Sequence, residues 1–109
     1  MTTFNKREDA FESKFAHDAE LQFRAQARRN KLLGLWAASL LDKTGAAADD
    51  YAKAVIASDL DHAGHEDVFR KIREDFDAAG VNQSDHQIRR TMDELMAKAI
   101  EQVRTEKLK

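Results

Sequence analysis

Residues 84–107 read SDHQIRRTMDELMAKAIEQVRTEK. Ile88, Met92, Leu95, Met96, Ala99 and Val103 follow the i, i+4, i+7, i+8 rhythm that puts apolar side chains on one face of a helix, with charged residues around the rest. Ser84 and Gln87 have the spacing of a capping box, in which each side chain satisfies a backbone N–H of the other. A helix of this kind buries one stripe only, so it needs other helices to cover it.

Moving outward, the same signals recur. Val68, Phe69, Ile72 and Phe76 make a shorter amphipathic segment whose start carries Glu66 and Asp67, negative charge suited to a helix N-terminus. Gly80 follows it and precedes Val81, a pattern that ends a helix in a left-handed residue and folds the next apolar side chain back onto Phe76. Tyr51 to Ala57 is a smaller Ala-rich helix, and Leu32, Leu33, Trp36, Leu40 and Leu41 belong to the most apolar one. Gly45, after LLDKT, is expected to end that helix, with Lys43 favouring its C-terminus. Gly34 lies inside NKLLGLWAASLL, where it costs about 1 kcal/mol relative to Ala, so close packing against another helix is its reason. The spacing predicts helices over 19–43, 46–59, 66–79 and 84–107. Short connections make neighbours antiparallel, hence an all-α, antiparallel four-helix bundle over residues 19–109.

Composition agrees. The chain has 109 residues, enough for one modest core, and no Pro to break helices. It has no Cys, which excludes disulfides, thiolate nucleophiles and cysteine metal sites and fits a reducing cytoplasm. No apolar run approaches the roughly 20 residues that span a bilayer, and the N-terminus is too charged for a signal peptide. Net charge is −2. Residues 1–31 carry seven Lys/Arg against five Asp/Glu, residues 32–80 five against ten, and residues 81–109 six against five. An acidic middle between two mildly basic ends does not make the wide basic stripe that nucleic acid needs.

Residues 1–18 stand apart as an N-terminal helical arm. At 100° per residue Phe4, Phe11 and Phe15 fall within a narrow arc, interrupted by Glu8, and Asn5 with Glu8 repeats the capping-box spacing. The same face then meets Asp18, Gln22 and Arg29, so the stripe stops where a core helix would continue it. Three buried rings contribute roughly 6 to 9 kcal/mol. Ordering about fifteen residues costs about 1 to 2 kcal/mol each in backbone entropy, which is more. The arm is therefore expected to be frayed by itself and to order against a groove, either the bundle's own core or a partner's surface.

Catalytic patterns are missing. There is no phosphate-cradling Gly-rich loop, no H-E-x-x-H, and no nucleophile with a base and an orienter, so the chain is not read as an enzyme. DHAGHED brings Asp61, His62, His65, Glu66 and Asp67 together as the best metal candidate, although a polar loop entering an acidic helix start has the same composition. His17 and His86 read as surface residues. Arg28, Arg29 and Lys31 in ARRNK form the densest basic patch, suited to a nucleotide phosphate or to a solvated helix face; Arg89 and Arg90 join it if the bundle brings those ends together. Trp36, within an apolar helix, reads as core.

KFAHDAELQFRAQARRNKLLGLWAASLL, then KTG, YAKAVIASD and GHEDVFRKI, resembles the zeta subunit family of alphaproteobacterial F-type ATP synthases across nearly the whole chain. The resemblance implies a four-helix bundle whose N-terminal segment is flexible when free. It implies that this segment inserts as a helix at a catalytic interface between the alternating alpha and beta subunits of the head, against the central stalk, and inhibits ATP hydrolysis by blocking rotation. On that reading Phe4, Phe11 and Phe15 are the apolar anchors, and Lys6, Arg7 and Lys14 address carboxylates at the groove rim. The family is also associated with ADP or ATP as a regulatory ligand, which gives Arg28, Arg29 and Lys31 a use; no cofactor is required. The protein is then cytoplasmic, peripheral to the inner membrane through the synthase and not inserted in it. The alternative is an adenine-nucleotide-sensing helical module without inhibitory activity.

Overall fold

The computed structural model describes residues 19–59 and 66–108. They form four helices, α1 (Ala19–Leu40), α2 (Gly45–Ser58), α3 (Glu66–Ala79) and α4 (Asp85–Leu108). The bundle expected from periodicity is present, and each expected helix lies within a few residues of its observed range. The capping-box reading at Asn5 and Glu8, and Asp61, His62, Gly64 and His65 of the metal candidate, lie outside the described residues, as does His17.

α1 is the helix on which the others assemble, packing broadly against both α2 and α4, while α3 closes the bundle between α2 and α4. Neighbours run antiparallel: Arg28 near the start of α1 reaches Gln102 and Glu106 near the end of α4, and Asn30 of α1 meets Asp59 at the end of α2. The core gathers Leu33, Ala37 and Ala38 of α1, Tyr51 and Val55 of α2, Val68, Ile72 and Phe76 of α3, and Ile88 and Met92 of α4. Trp36 is half-buried at its edge, its ring meeting Phe76 edge-on with centroids 5.6 Å apart.

The helix ends show which signals decide. At the end of α3 the Val81 N–H donates to Phe76 O at 2.8 Å around Gly80, whose φ is +72°, and Val81 packs against the core cluster, as its spacing predicts. Ser84 and Gln87 make both bonds of their capping box: the Ser84 N–H donates to Gln87 Oε1 at 2.8 Å and the Gln87 N–H to Ser84 Oγ at 3.1 Å. Gly34 sits against α2, where an added Cβ would stand 2.6 Å from Ala52 Cα.

Gly45 behaves otherwise than expected. α1 ends at Leu40, and the left-handed residue of its cap is Asp42, with φ +60°; the Lys43 N–H closes the cap on Ala38 O at 2.9 Å. Asp tolerates this conformation better than most residues because its short side chain bonds locally. Gly45, at φ +57°, instead turns the chain into the first residue of α2 after Thr44.

Candidate functional site

The first half of α1 and the last half of α4 extend as a pair past the ends of α2 and α3. Ala25 of α1 and Ala99 and Val103 of α4 are buried along this stretch. Arg28 clamps the pair from the side, donating to Gln102 Oε1 at 2.8 Å and standing 2.8 Å from Glu106 Oε2; Arg24 approaches the same carboxylate at 3.7 Å. Such partly exposed ion pairs fix geometry more than they stabilise.

Where α2 ends, a polar cluster is enclosed. Arg29 is 2% exposed, its Nε donating to Asn30 Oδ1 at 2.6 Å, and Asn30 Nδ2 donates to Asp59 Oδ2 at 3.0 Å. Asp59 Oδ1 is buried and accepts no hydrogen bond among the described residues. Burial lowers the Arg29 pKa, and the nearby charges of Asp59 and Asp93 oppose that shift. The guanidinium is thus linked to Asp59 through Asn30 and feels the negative charge of Asp59 and of Asp93 on α4.

A second polar group lies at the other end of the bundle. The Tyr51 hydroxyl donates to Asp75 Oδ2 at 2.7 Å, Lys71 Nζ donates to the same oxygen at 3.1 Å, and the Lys71 ammonium lies 5.2 Å from the centre of the Tyr51 ring. They line an open concavity of about 460 Å³ with Leu41, Lys43, Ala78 and Ala79. Burial, then the hydrogen bond to Asp75 and its charge, push the Tyr51 phenol far above its ordinary range. The phenol is thus a donor at every physiological pH and has no capacity as a base.

The structure divides the basic patch of ARRNK. Arg29 faces inward, Arg28 is half-buried against α4, and Lys31 is exposed, so the three cations do not converge on one surface. Arg89 and Arg90 do not join them: Arg89 pairs with Glu66 at 3.2 Å and lies over the Phe69 ring, and Arg90 pairs with Glu94 at 3.4 Å. Glu66 and Asp67 sit in the first turn of α3, Asp67 paired with Arg70 at 3.3 Å. Among the described residues no three His, Asp or Glu side chains are grouped to hold a metal. Phe4, Lys6, Arg7, Phe11, Lys14 and Phe15 lie outside the described residues. Sequence reasoning missed Phe23, which is 69% exposed on α1. The signal for it was available, since Phe23 lies on the face of α1 that carries Gly34, and the expected α2 is too short to reach it.

Three comparisons bear on this arrangement. The family model of the ATPase inhibitor subunit zeta matches residues 1–102. A protein solved by solution NMR shares 44% identity, with a TM-score of 0.70 over 79% of this chain and 98% of that one. Among curated proteins none matches.

Proposed function

We propose how this chain, which belongs to the ATPase inhibitor subunit zeta family, restrains hydrolysis. It binds the catalytic head of an F-type ATP synthase, with the bundle docked outside and residues 1–18 ordered as a helix at a catalytic subunit interface, where they block rotation. The observation that carries this reading is the extent of the family match: it begins at residue 1 and so takes in the Phe4, Phe11 and Phe15 stripe together with the bundle. The bundle contributes support from its own construction. Among the described residues its main core cluster draws on all four helices, from Leu33 of α1 to Met92 of α4. Phe4, Phe11 and Phe15 then serve as anchors in a groove, while Lys6, Arg7 and Lys14 meet carboxylates at the rim. The chain sits at the membrane through the synthase alone. No helix among the described residues is long and apolar enough to cross a bilayer.

ATP hydrolysis by the isolated synthase head, titrated with the full chain and with residues 19–109, tests this. The shortened chain should fold, by circular dichroism, and should not inhibit. Truncating one anchor, Phe11→Ala, removes about 2 kcal/mol of binding, which raises the concentration for half-inhibition about thirtyfold. A shortened chain of undiminished potency would refute the proposal.

A further inference from the structure

One face of α1 changes its cover halfway along the helix. From Asn30 onward it meets α2, through the Asn30–Asp59 hydrogen bond and the close approach of Gly34 to Ala52. Upstream, on the same face, come Ala27, Phe23 and Ala19 at four-residue spacing. α2 has ended at Ser58 by this level, so the half of α1 from Ala19 to Asn30 is paired with α4 and open on the α2 side. Phe23 is the one large apolar side chain that is exposed among the described residues, and it stands in that opening with an alanine one turn to either side. Exposed Glu20 and Lys31 edge the stripe, which gives it the apolar centre and polar rim of a contact surface.

We propose that Phe23, flanked by Ala19 and Ala27, is a second anchor on the synthase head, beside the contact made by residues 1–18. This rests on the function proposed above and names a surface of the bundle that the same partner covers. Chain connectivity fixes the occupant. The segment ahead of the bundle ends at Asp18, and α1 starts at the next residue. Phe15 lies four residues before Ala19 and Phe23 four after it, so their backbones stand within about 20 Å of each other even with residues 15–19 fully extended. A head built of several large subunits is wider than that. A subunit that closes on Phe15 therefore reaches the first turns of α1, and it meets them where α2 does not stand in its way. The two contacts have different work: residues 1–18 obstruct rotation, and Phe23 holds the chain in place. Loss of the Phe23 ring thus weakens binding without removing the obstruction.

The full chain tests this. Gln favours a helix at least as well as Phe, and position 23 is exposed, so Phe23→Gln should leave the urea midpoint where it is. Against the isolated head the concentration for half-inhibition should rise about tenfold, while saturating protein still stops hydrolysis. A photoreactive benzoylphenylalanine in place of Phe23 should yield, on illumination, an adduct with a head subunit. The same group in place of Asp49, exposed on α2 at the far end of the bundle, should not. Unchanged potency of Phe23→Gln, no adduct from position 23, equal adducts from both positions, or an adduct only with a second copy of the chain overturns the proposal. A parent chain that does not inhibit refutes the reading above instead, and the adduct with the head then still decides whether Phe23 is a contact.

Discussion

Gly34 sets how closely α1 and α2 approach. A Cβ there would stand 2.6 Å from Ala52 Cα and 3.1 Å from Ala52 Cβ, and the first of these is backbone, which no rotamer change relieves. Gly34→Ala therefore forces the helices apart. The mutation gains about 1 kcal/mol of helix propensity and meets an overpacking cost of up to about 3 kcal/mol, for a net loss of about 1 to 2 kcal/mol. Urea unfolding checks it: the midpoint should fall at an unchanged slope, and an unmoved or raised midpoint would show that α2 gives way at no cost. This residue was legible in the sequence because glycine weakens the interior of an apolar helix, a loss that the close approach of a second helix offsets. Arg29 was not. ARRNK reads as a run of charge, and only the four-residue spacing from Ala25 through Arg29 to Leu33 and Ala37 places it on the inward face. Asp42 was hidden for a related reason: Gly45, three residues later, offered a more obvious left-handed position.

Between elements, a side-chain hydrogen bond links α2 to α3. Tyr51 ties the two helices through Asp75, and its phenol titrates far above its ordinary value. The sign of the pH effect follows. The raised pKa means the folded state keeps a proton that the unfolded state loses near pH 10, so this stabilisation is complete below pH 10 and declines above it. The slope approaches about 1.4 kcal/mol per pH unit for the one proton involved. Tyr51→Phe should cost about 1 to 2 kcal/mol at pH 7, where Asp75 keeps Lys71, and should flatten the alkaline decline relative to the parent chain. Chemical unfolding at pH 7, 10 and 11 measures both. Tyr51 is the chain's single tyrosine, so phenolate absorbance reports its titration directly, and ionisation in the folded protein near pH 10 would contradict the buried hydrogen bond. The existence and type of all four helices were readable from period and caps, because those are local. The Tyr51–Asp75 tie was not, because nothing in either helix's own pattern marks which polar residue will face inward.

At the scale of the molecule, the four helices of the described residues are unequal in length, and that inequality separates a core from a stem. α1 and α4 have 22 and 24 residues, α2 and α3 only 14 each. Asn30 of α1 meets Asp59 at the end of α2, so the part of α1 before Asn30 projects past α2, paired with the Gln102 and Glu106 end of α4. The lengths were visible in the sequence, and the stem with its open face follows from them once the antiparallel order is known. The compact end holds every member of the main core cluster, whereas the stem buries Ala25, Ala99 and Val103 beside the Arg29 group. A half-helix of a dozen residues does not persist in water by propensity alone, so the stem depends on this thin contact. Native-state hydrogen exchange should then divide along it. Amides in 22–28 and 100–106 should exchange at least about tenfold faster than those in 33–38, 52–56, 70–76 and 90–95, a difference of about 1.4 kcal/mol in opening free energy. Uniform protection along α1 and α4 would mean that the stem opens only with the core. A partner or segment that covers Phe23 should slow exchange in the stem and leave the core amides unchanged, because they already report complete unfolding.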